Sequence, residues 1–360
     1  MTPLRIGVDA RELLGDSTGV GRYLGELLRR WTARSDASSR QFVLYTPAPL
    51  ALSLAGAQVR VLGGGRGSWW EQTTLSAAVA RDRPDVFFAP AYTAPLRLTM
   101  PLAVTIHDVS FSRRPEWFST REGTRRRWLT QSAARRAALV LTVSAFSARE
   151  IEELYGVPRH RIEVVPNGVA PRVPKASVPR EPLVLYTGSL FNRRRLPDLI
   201  EAFARTLREV PEAHLVIVGA DRTWPRQDLE SIAQVHGVAA RVRVSAYVPD
   251  EELAELYGRA SVFAFLSEYE GFGLTPLEAL AAGVPVVALD TEVAREVYGD
   301  AAVLVPSGDI ARTAEALTCL LTSPQAAAAQ LARAPAVLSR YSWEDAANRT
   351  LTAIERTVRR

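Results

Sequence analysis

The sequence predicts an α/β protein with two doubly wound domains, each built on a parallel β-sheet. Its 360 residues suit two domains of ordinary size better than a single core. In both halves, short apolar runs alternate with amphipathic stretches of helical period, which is the rhythm of β-α-β units. Between the halves, residues 171–182 are rich in proline and have the composition of a linker.

The first domain is predicted to span residues 1–170 and to contain buried parallel strands. These strands are Leu4–Val8, Gln41–Tyr45, Gln58–Leu62, Val86–Ala89, Leu102–Ile106 and Leu139–Val143. Helical patterns lie at Gly21–Trp31 and Trp70–Arg81. Because ligands of such sheets bind outside the carboxyl ends of the strands, we expect the functional loops to follow these runs.

The second domain is predicted to span residues 183–343 with the same alternation. Its strands are Leu183–Thr187, His214–Val218, Arg241–Val244, Val262–Phe265, Val284–Ala288 and Ala302–Val305. Its helices are Leu196–Arg208, Leu229–His236, Asp250–Arg259, Pro276–Ala282 and the alanine-rich Ala326–Ala336. A last helix, at about residues 344–360, has no obvious place in the second sheet.

Composition bears on partners and compartment. The formal net charge is +5 and the isoelectric point is near 9.6, which favours polyanions such as nucleotides, phospholipids or nucleic acid. However, Lys175 is the only lysine, and an excess of arginine and alanine is equally typical of a biased genome. No window holds the roughly 20 apolar residues of a membrane-spanning helix. We therefore predict a cytoplasmic protein, with peripheral contact at the inner membrane face as an option.

Cysteine and histidine usage argues against metal chemistry. Cys319 is the single cysteine, which excludes a disulfide framework or a thiolate cluster and favours a buried filler role. His107, His160, His214 and His236 lack the spacing of metal ligands. We predict that the protein needs no metal and no cofactor.

The segment from Ser267 to Glu278 carries the strongest functional signal. It follows a predicted strand and leads into a helix. Thr275 as N-cap, Pro276 at the first helical position and Glu278 three residues after Thr275 predict a capping box. A helix start offers free backbone N–H groups and the positive end of the helix dipole, which together suit a diphosphate.

Around this anion site lie groups that suit a polyol. Gly271 and Gly273 let the backbone approach a ligand closely, and Glu270 precedes them. A carboxylate accepts hydrogen bonds from hydroxyl groups, and phosphate beside a polyhydroxyl group describes a sugar nucleotide. Taken alone, Glu278 is equally explained as a helix cap and Glu270 as a solvated loop acid. Their spacing around both glycines favours function.

The sequence from Glu270 to Ala288 resembles the signature of the family 4 retaining glycosyltransferases of the GT-B fold. Further segments resemble the mannosyltransferase-like branch of that family: Gly7–Arg11, Thr18–Tyr23, Thr105–Asp108, Val143–Ser147 and Val165–Val169. The resemblance implies two Rossmann-like domains facing a central cleft, with the last helix packing back on the first domain. It also implies that Glu270 contacts hydroxyls of the donor sugar and that Glu278 contacts the ribose.

The same resemblance implies donor-binding positions in three loops. These positions are Gly19, Gly21, Gly188, Gly271, Phe272, Gly273, Leu274 and Thr275. Taken alone, the Gly19-Val20-Gly21 sequence is equally explained as a structural turn.

A basic triplet follows the predicted strand that ends at Thr187. Arg193, Arg194 and Arg195 precede a helix, where the helix dipole would normally favour acids, so phosphate binding is favoured over a solvated helix start. The resemblance aligns Arg193 and Arg194 with the phosphate-binding Arg-Lys pair of the family. Arg195 stands where the family has asparagine, which leaves open which guanidinium reaches the phosphate.

His107 ends a predicted strand, with Asp108 beside it. A lone histidine is more often structural. This position, however, matches an active-site histidine of the family, which implies contact with the donor sugar or with the reacting centre.

The segment Arg113–Arg136 is strongly basic. It holds eight arginines against two glutamates, with three aromatic residues between them. Such a segment suits an anionic membrane and a lipid-linked acceptor, although an ordinary arginine-rich face explains it equally. No recognised motif supports binding of nucleic acid.

The sequence therefore predicts a retaining glycosyltransferase that moves a hexosyl group, in first place mannosyl, from a nucleoside-diphosphate sugar to a glycan, polysaccharide or glycolipid acceptor. GDP-mannose is the favoured donor, with UDP and dTDP sugars as alternatives. The candidate catalytic residues are His107, Glu270, Arg193 and Arg194. Other classes are a non-catalytic sugar-nucleotide-binding protein and a dinucleotide-dependent oxidoreductase, against which no Gly-x-Gly-x-x-Gly follows the first strand. An epimerase or phosphorylase of the same fold is a nearer alternative.

Overall fold

The computed structural model describes residues 3–15, 19–51, 54–170 and 179–358. The chain divides into two compact units. Unit one consists of Met1–Pro115, Thr120–Gly168 and Ser342–Arg360, so the end of the chain belongs with its beginning. Unit two consists of Glu116–Ser119 and Val169–Tyr341.

Each unit contains one β-sheet. The strands of unit one are β1 (Leu4–Asp9), β2 (Arg40–Thr46), β3 (Ala57–Val61), β4 (Val86–Ala89), β5 (Leu102–Thr105), β6 (Leu139–Thr142) and β7 (Ile162–Val164). The strands of unit two are β8 (Glu181–Thr187), β9 (His214–Val218), β10 (Val242–Ser245), β11 (Ala260–Phe265), β12 (Val286–Leu289) and β13 (Ala302–Val305).

Helices connect these strands. Up to the end of β7 they are α1 (Gly19–Ala33), α2 (Ser68–Trp70), α3 (Ser76–Asp82), α4 (Ser110–Arg113), α5 (Thr120–Arg136) and α6 (Ala145–Tyr155). The later ones are α7 (Leu196–Thr206), α8 (Leu229–Val235), α9 (Asp250–Arg259), α10 (Leu274–Ala281), α11 (Glu292–Val297), α12 (Ile310–Thr322), α13 (Pro324–Leu331), α14 (Ala334–Leu338) and α15 (Trp343–Val358).

The sheet of unit one has the strand order β3-β2-β1-β4-β5-β6-β7, with parallel pairing throughout. Ile6 of β1 pairs with Phe42 on one side and with Val86 on the other. The strand order reverses between β1 and β4. In open α/β sheets, such a switch point opens a crevice for ligands at the carboxyl ends of the strands.

The sheet of unit two has the order β10-β9-β8-β11-β12-β13 and is also parallel throughout. Val184 of β8 pairs with Leu215 of β9 and with Val262 of β11. The switch point of this sheet therefore lies between β8 and β11. The loops that follow these two strands are the ones that the topology brings together.

Helix α15 belongs to the core of unit one. Its buried residues recur with helical spacing and include Trp343, Ala347, Leu351 and Ile354, so one face of the helix is apolar. This face packs in the same cluster as residues of α1, and the Trp31 indole N–H donates to the Ala347 carbonyl at 2.8 Å. The last helix thus completes the first core rather than the second.

The prediction of two parallel sheets is confirmed, and each predicted strand is present within two residues of its expected limits. Strand β7 was not predicted, because three residues are too few to form a recognisable apolar run.

The helix expected at Trp70–Arg81 is present within Ser68–Asp82, and it contains a π-helical turn, Glu71–Leu75. Two other local predictions are wrong. The helix expected at Ala326–Ala336 is split into α13 and α14, because Pro335 has no N–H to continue α13. Cys319, expected to be buried, is exposed, because it lies outside the stripe of α12 that includes the buried Leu317.

The remaining expectations concern the linker, membrane spans and metal sites. The predicted linker lies outside the described residues from position 171 to 178. Within the described ranges, no helix combines the length and the apolar character needed to cross a bilayer. In the same part of the chain, no group of three or more His, Cys, Asp or Glu side chains is arranged to hold a metal ion.

The packing of α15 predicts a strong steric effect at Gly168. A Cβ added there would meet the backbone nitrogen of Trp343 at 2.1 Å, and backbone cannot move aside as a side chain can. Overpacking typically costs about 1–3 kcal/mol, and Gly168→Ala should destabilise the protein by at least this amount. The midpoint of thermal unfolding should fall by several degrees. Gly65→Ala is the matched control, because a Cβ there meets nothing within 4 Å. Equal unfolding midpoints for the two variants would contradict this packing.

Candidate functional site

The loop of residues 188–195, here called the arginine loop, follows β8 at the switch point of unit two. Gly188 adopts a φ of +135°, a conformation open mainly to glycine. Gly219 directly follows the neighbouring strand β9, and a Cβ added there would meet the Gly188 carbonyl oxygen at 1.9 Å. This close approach anchors the start of the loop, and Asn192–Arg194 then form a 3-10 turn.

Arg193 is buried, and Arg194 is largely shielded from solvent. Their side chains are only 9% and 11% exposed. The guanidinium carbon of Arg193 lies 4.3 Å from the ring centre of Phe191, and that of Arg194 lies 4.5 Å from the ring centre of Phe265. A desolvated cation over an aromatic face gains up to about 2 kcal/mol, which offsets part of the cost of burying the charge.

Glu270 stands between the two arginines. Its Oε1 accepts a hydrogen bond from Ser267 Oγ at 2.5 Å and pairs with Arg194 Nη1 at 2.9 Å. The same oxygen lies 3.8 Å from Arg193 Nε. Two cations thus share one carboxylate, so these three side chains together keep a positive charge that suits an anionic ligand.

Arg195 is set apart from the other two arginines. Its φ is +48°, in the left-handed region where asparagine is favoured and arginine is strained. Its guanidinium binds the Asp198 carboxylate at 2.6 and 2.8 Å and the Glu268 carboxylate at 3.0 Å. Because two acids already neutralise Arg195, we favour Arg193 and Arg194 as phosphate ligands.

Helix α10 begins two residues earlier than a cap at Thr275 predicts. The helix starts at Leu274, its N-cap is Gly273 with a φ of +82°, and no side chain in the described part of the chain caps it. The predicted capping box of Thr275 and Glu278 is therefore wrong. Thr275 instead lies in the first turn of α10, whose N–H groups begin at the switch point of the sheet.

Tyr298 holds the turn before α10. Its hydroxyl donates to the carbonyl oxygens of Phe272 at 3.2 Å and Gly273 at 3.1 Å. A Cβ at position 273 would meet this hydroxyl at 1.8 Å. Glycine is therefore required here both by the positive φ and by the tyrosine, which sequence reasoning did not single out.

The remaining predicted positions of unit two lie in the same two segments. Gly271 is buried, and Glu278, the fifth residue of α10, is 7% exposed. The Glu268 N–H donates to the Arg193 carbonyl at 2.9 Å, which ties the arginine loop to the loop before α10. The structure thus brings Arg193 and Arg194 together with Glu270 and with the loop that leads into α10.

His107 belongs to unit one, at the carboxyl end of β5. Its Nε2 lies 2.9 Å from the Pro90 carbonyl, which can only accept, so Nε2 carries the proton and Nδ1 is an acceptor. The rings of Tyr23 and Tyr92 contact the imidazole edge-on, at 4.9 and 5.6 Å between ring centres. Burial lowers the pKa of His107 below its ordinary value, against weaker opposing effects of the Pro90 hydrogen bond and of Asp108. The imidazole is therefore neutral at pH 7.

Gly19 and Gly21 lie in the first turn of α1, while Thr18 lies outside the described residues. Two residues after Gly21, the Tyr23 hydroxyl is within hydrogen-bond distance of Thr105 Oγ1, at 3.1 Å. Unit one therefore joins the start of α1 to the carboxyl end of β5, where His107 follows.

A buried charged network at the switch point of unit one was missed by sequence reasoning. Arg11, just after β1, pairs with Asp9 at 2.9 Å and with Glu71. Glu71 is fully buried and also accepts hydrogen bonds from Gln72 at 2.6 Å and from Thr93 at 2.5 Å. It begins the π-helical turn, a feature common at functional sites. The sequence offered one signal, since Gly7–Arg11 is among the segments that resemble the family.

Two family models match the chain, Glycosyltransferase Family 4 over residues 17–173 and Glycosyl transferases group 1 over residues 172–335. O-antigen chain mannosyltransferase B of Escherichia coli is 30% identical over 289 residues, which cover 76% of this chain and 75% of that protein. The MMP alpha-(1->4)-mannosyltransferase of Mycolicibacterium hassiacum is 29% identical over 94% of this chain and 79% of its own length. The chain is a family 4 glycosyltransferase.

Solved structures agree on the fold of this glycosyltransferase. WaaG, a glycosyltransferase involved in lipopolysaccharide biosynthesis, superposes with a TM-score of 0.78 at 17% identity, covering 98% of this chain and 99% of WaaG. Anabaena Alr3699/HepE in complex with UDP-glucose superposes with a TM-score of 0.75 at 20% identity. The superposition covers 97% of this chain and 100% of that chain. The predicted GT-B fold class is therefore confirmed. The relatives also confirm the mannosyltransferase-like resemblance. They support the assignment of the chain as a hexosyltransferase.

The Asp9 network of the glycosyltransferase predicts a pH-dependent stability. Burial raises the pKa of the Asp9 carboxyl from 3.8 to about 6, although Arg11 beside it acts in the opposite direction. A raised native pKa means that the stability contributed by this group is full below pH 4 and is lost as the pH rises through 6. Relative to Asp9→Asn, the wild type should lose about 2–3 kcal/mol of unfolding free energy between pH 4 and pH 7.

Urea unfolding at both pH values measures this difference. Asp300→Asn is the control, because its carboxylate is 75% exposed and removal should leave the pH dependence as it is. A constant difference between the wild type and Asp9→Asn across this range would refute the assignment.

Proposed function

We propose that this family 4 glycosyltransferase transfers a mannosyl group from GDP-mannose to a hydroxyl of a glycan, polysaccharide or glycolipid acceptor, with retention of the anomeric configuration. The observation that carries the proposal is the cluster of Arg193, Arg194 and Glu270 beside the start of α10. It combines positive charge for a diphosphate with a carboxylate for sugar hydroxyls. The comparisons lend no support to the oxidoreductase alternative.

The choice of donor is supported by the relatives. Two of the similar proteins are named as mannosyltransferases, which favours GDP-mannose. Anabaena Alr3699/HepE was solved with UDP-glucose, so a UDP sugar is the second candidate. An acceptor carried on a lipid would require the enzyme to work at a membrane surface.

The proposed reaction breaks the bond between the sugar C1 and the β-phosphate oxygen. Negative charge then grows on the departing phosphate, and Arg193, Arg194 and the first N–H groups of α10 stabilise it. Each such donor is typically worth about 3–4 kcal/mol in the transition state. The acceptor oxygen bonds to C1 on the face that the phosphate leaves, and the departing phosphate takes the acceptor proton.

The pairing of Glu270 with Arg194 links donor binding to sugar orientation. A bound diphosphate would compete with Glu270 for Arg194, because both are anions within reach of one guanidinium. The released carboxylate could then accept hydrogen bonds from the donor sugar. By the resemblance, Glu278 contacts the ribose. The resemblance also implies that His107 contacts the donor sugar or the reacting centre.

Removing Arg193 and Arg194 tests the phosphate assignment. Each contributes charge-assisted hydrogen bonds of about 1.5–3 kcal/mol, so Arg193→Ala combined with Arg194→Ala should weaken GDP binding by about 100-fold or more. A thermal-shift panel of GDP, UDP, dTDP and their sugars measures this. A ligand at 100 times its Kd stabilises the wild type by about 2.7 kcal/mol, and most of that shift should vanish in the double variant.

The matched control is Arg205→Ala. Arg205 lies on α7, is 45% exposed and pairs with Glu201, so its loss should leave the ligand shifts intact. Unchanged GDP affinity in the double variant would overturn the phosphate role. A larger thermal shift of the wild type with UDP than with GDP would indicate a UDP sugar as donor in place of GDP-mannose, and the phosphate-binding role of the site would stand.

Glu270→Gln separates sugar orientation from phosphate binding. The amide cannot neutralise Arg194, so GDP affinity should stay equal or rise. Catalysis should fall by about 100-fold in kcat, because the carboxylate no longer holds the sugar hydroxyls. Steady-state mannosyl transfer and GDP titration measure the two effects. Glu268→Gln, on the same loop, should change kcat far less, and full kcat with normal KM in Glu270→Gln would refute the role.

A further inference from the structure

Two tryptophans of unit one are exposed to solvent. Trp69, in α2, is 82% exposed, and Trp128, in α5, is 60% exposed. Indole rings are amphipathic, with a large apolar body and one N–H donor, and are enriched where an apolar phase meets water. A single exposed ring needs no explanation, but exposed rings grouped with basic side chains can form a binding surface.

A side-chain hydrogen bond joins the two helices that carry these rings. Arg125 Nη1 donates to Ser68 Oγ at 2.6 Å, which joins α5 to α2. Residues three and four positions apart share one face of a helix, so Arg121, Arg125 and Trp128 form a row on α5. Trp69 directly follows Ser68. We call the five residues Ser68, Trp69, Arg121, Arg125 and Trp128 the Trp-Arg surface.

The charge of this region is strongly positive. Helix α5 carries six arginines and one glutamate, and that glutamate, Glu122, is paired with Arg126 at 2.6 Å. Arg66, two residues before Ser68, is also exposed. By contrast, Arg113 is bound to Glu150 and Glu153, so the start of the predicted basic segment is already neutralised.

We propose that the Trp-Arg surface binds a bilayer that contains anionic phospholipids. The guanidinium groups of Arg121 and Arg125 complement lipid phosphates, while Trp69 and Trp128 insert their rings at the level of the headgroups. This narrows the expected contact from Arg113–Arg136 to one side of α5 and adds α2, which the composition of that segment did not reveal. The inference is independent of the proposed reaction.

Vesicle sedimentation tests the proposal with the full chain. The wild type should sediment with vesicles of phosphatidylglycerol and phosphatidylcholine, should not sediment with phosphatidylcholine alone, and should be released by high salt. Arg121→Glu combined with Arg125→Glu should reduce the partition coefficient at least tenfold. Trp69→Ser combined with Trp128→Ser should reduce it by a similar factor and should abolish quenching of tryptophan fluorescence by brominated lipid.

Matched controls lie in unit two. Trp224→Ser removes another exposed tryptophan, which is 55% exposed, and Arg312→Glu reverses an arginine that is 69% exposed. Both should bind vesicles like the wild type, and circular dichroism verifies that every variant is folded. Failure of the folded wild type to sediment at low salt would overturn the proposal. Undiminished binding of the double tryptophan variant, or binding of DNA in place of vesicles through the same arginines, would also overturn it.

Discussion

The parallel arrangement of the strands is the constraint on which the rest of the structure depends. Parallel strands all end at one edge of their sheet, and the chain leaves neighbouring strands in opposite directions only where the strand order reverses. In unit two this happens between β8 and β11. The arginine loop after β8 and the Glu270 loop after β11 therefore meet, although they are far apart in the sequence.

Buried positive charge distinguishes this meeting point. Arg193 and Arg194 are nearly removed from water, and they share one carboxylate, that of Glu270. Aromatic faces cover the guanidinium groups without neutralising them. A cluster that is buried, polar and positively charged binds an anion far more strongly than exposed arginines would, because fewer waters compete and salt screens it less.

The switch point of unit one has the opposite balance. There one guanidinium, that of Arg11, serves two carboxylates, and burial keeps the pKa of Asp9 raised. The network joins β1 to the π-helical turn that starts at Glu71, so it fixes backbone that would otherwise be free to shift. Each unit thus carries buried charge at the switch point of its own sheet, unit two with an excess of cations and unit one with an excess of carboxylates.

The sequence by itself determined the fold class, twelve of the thirteen described strands, the last helix and the candidate residues of the second unit. These features follow from local periodicity and from a contiguous signature around Glu270, and both are properties of residues that are close together in the sequence. The tertiary structure decided which groups meet. Arg11 lies 60 residues from Glu71, and Tyr298 lies 25 residues beyond the Gly273 carbonyl that it binds. It also decided that Arg195 is neutralised by Asp198 and Glu268 and that Gly273, not Thr275, precedes α10. Pairings of this kind depend on packing between distant segments, and local sequence patterns do not encode them.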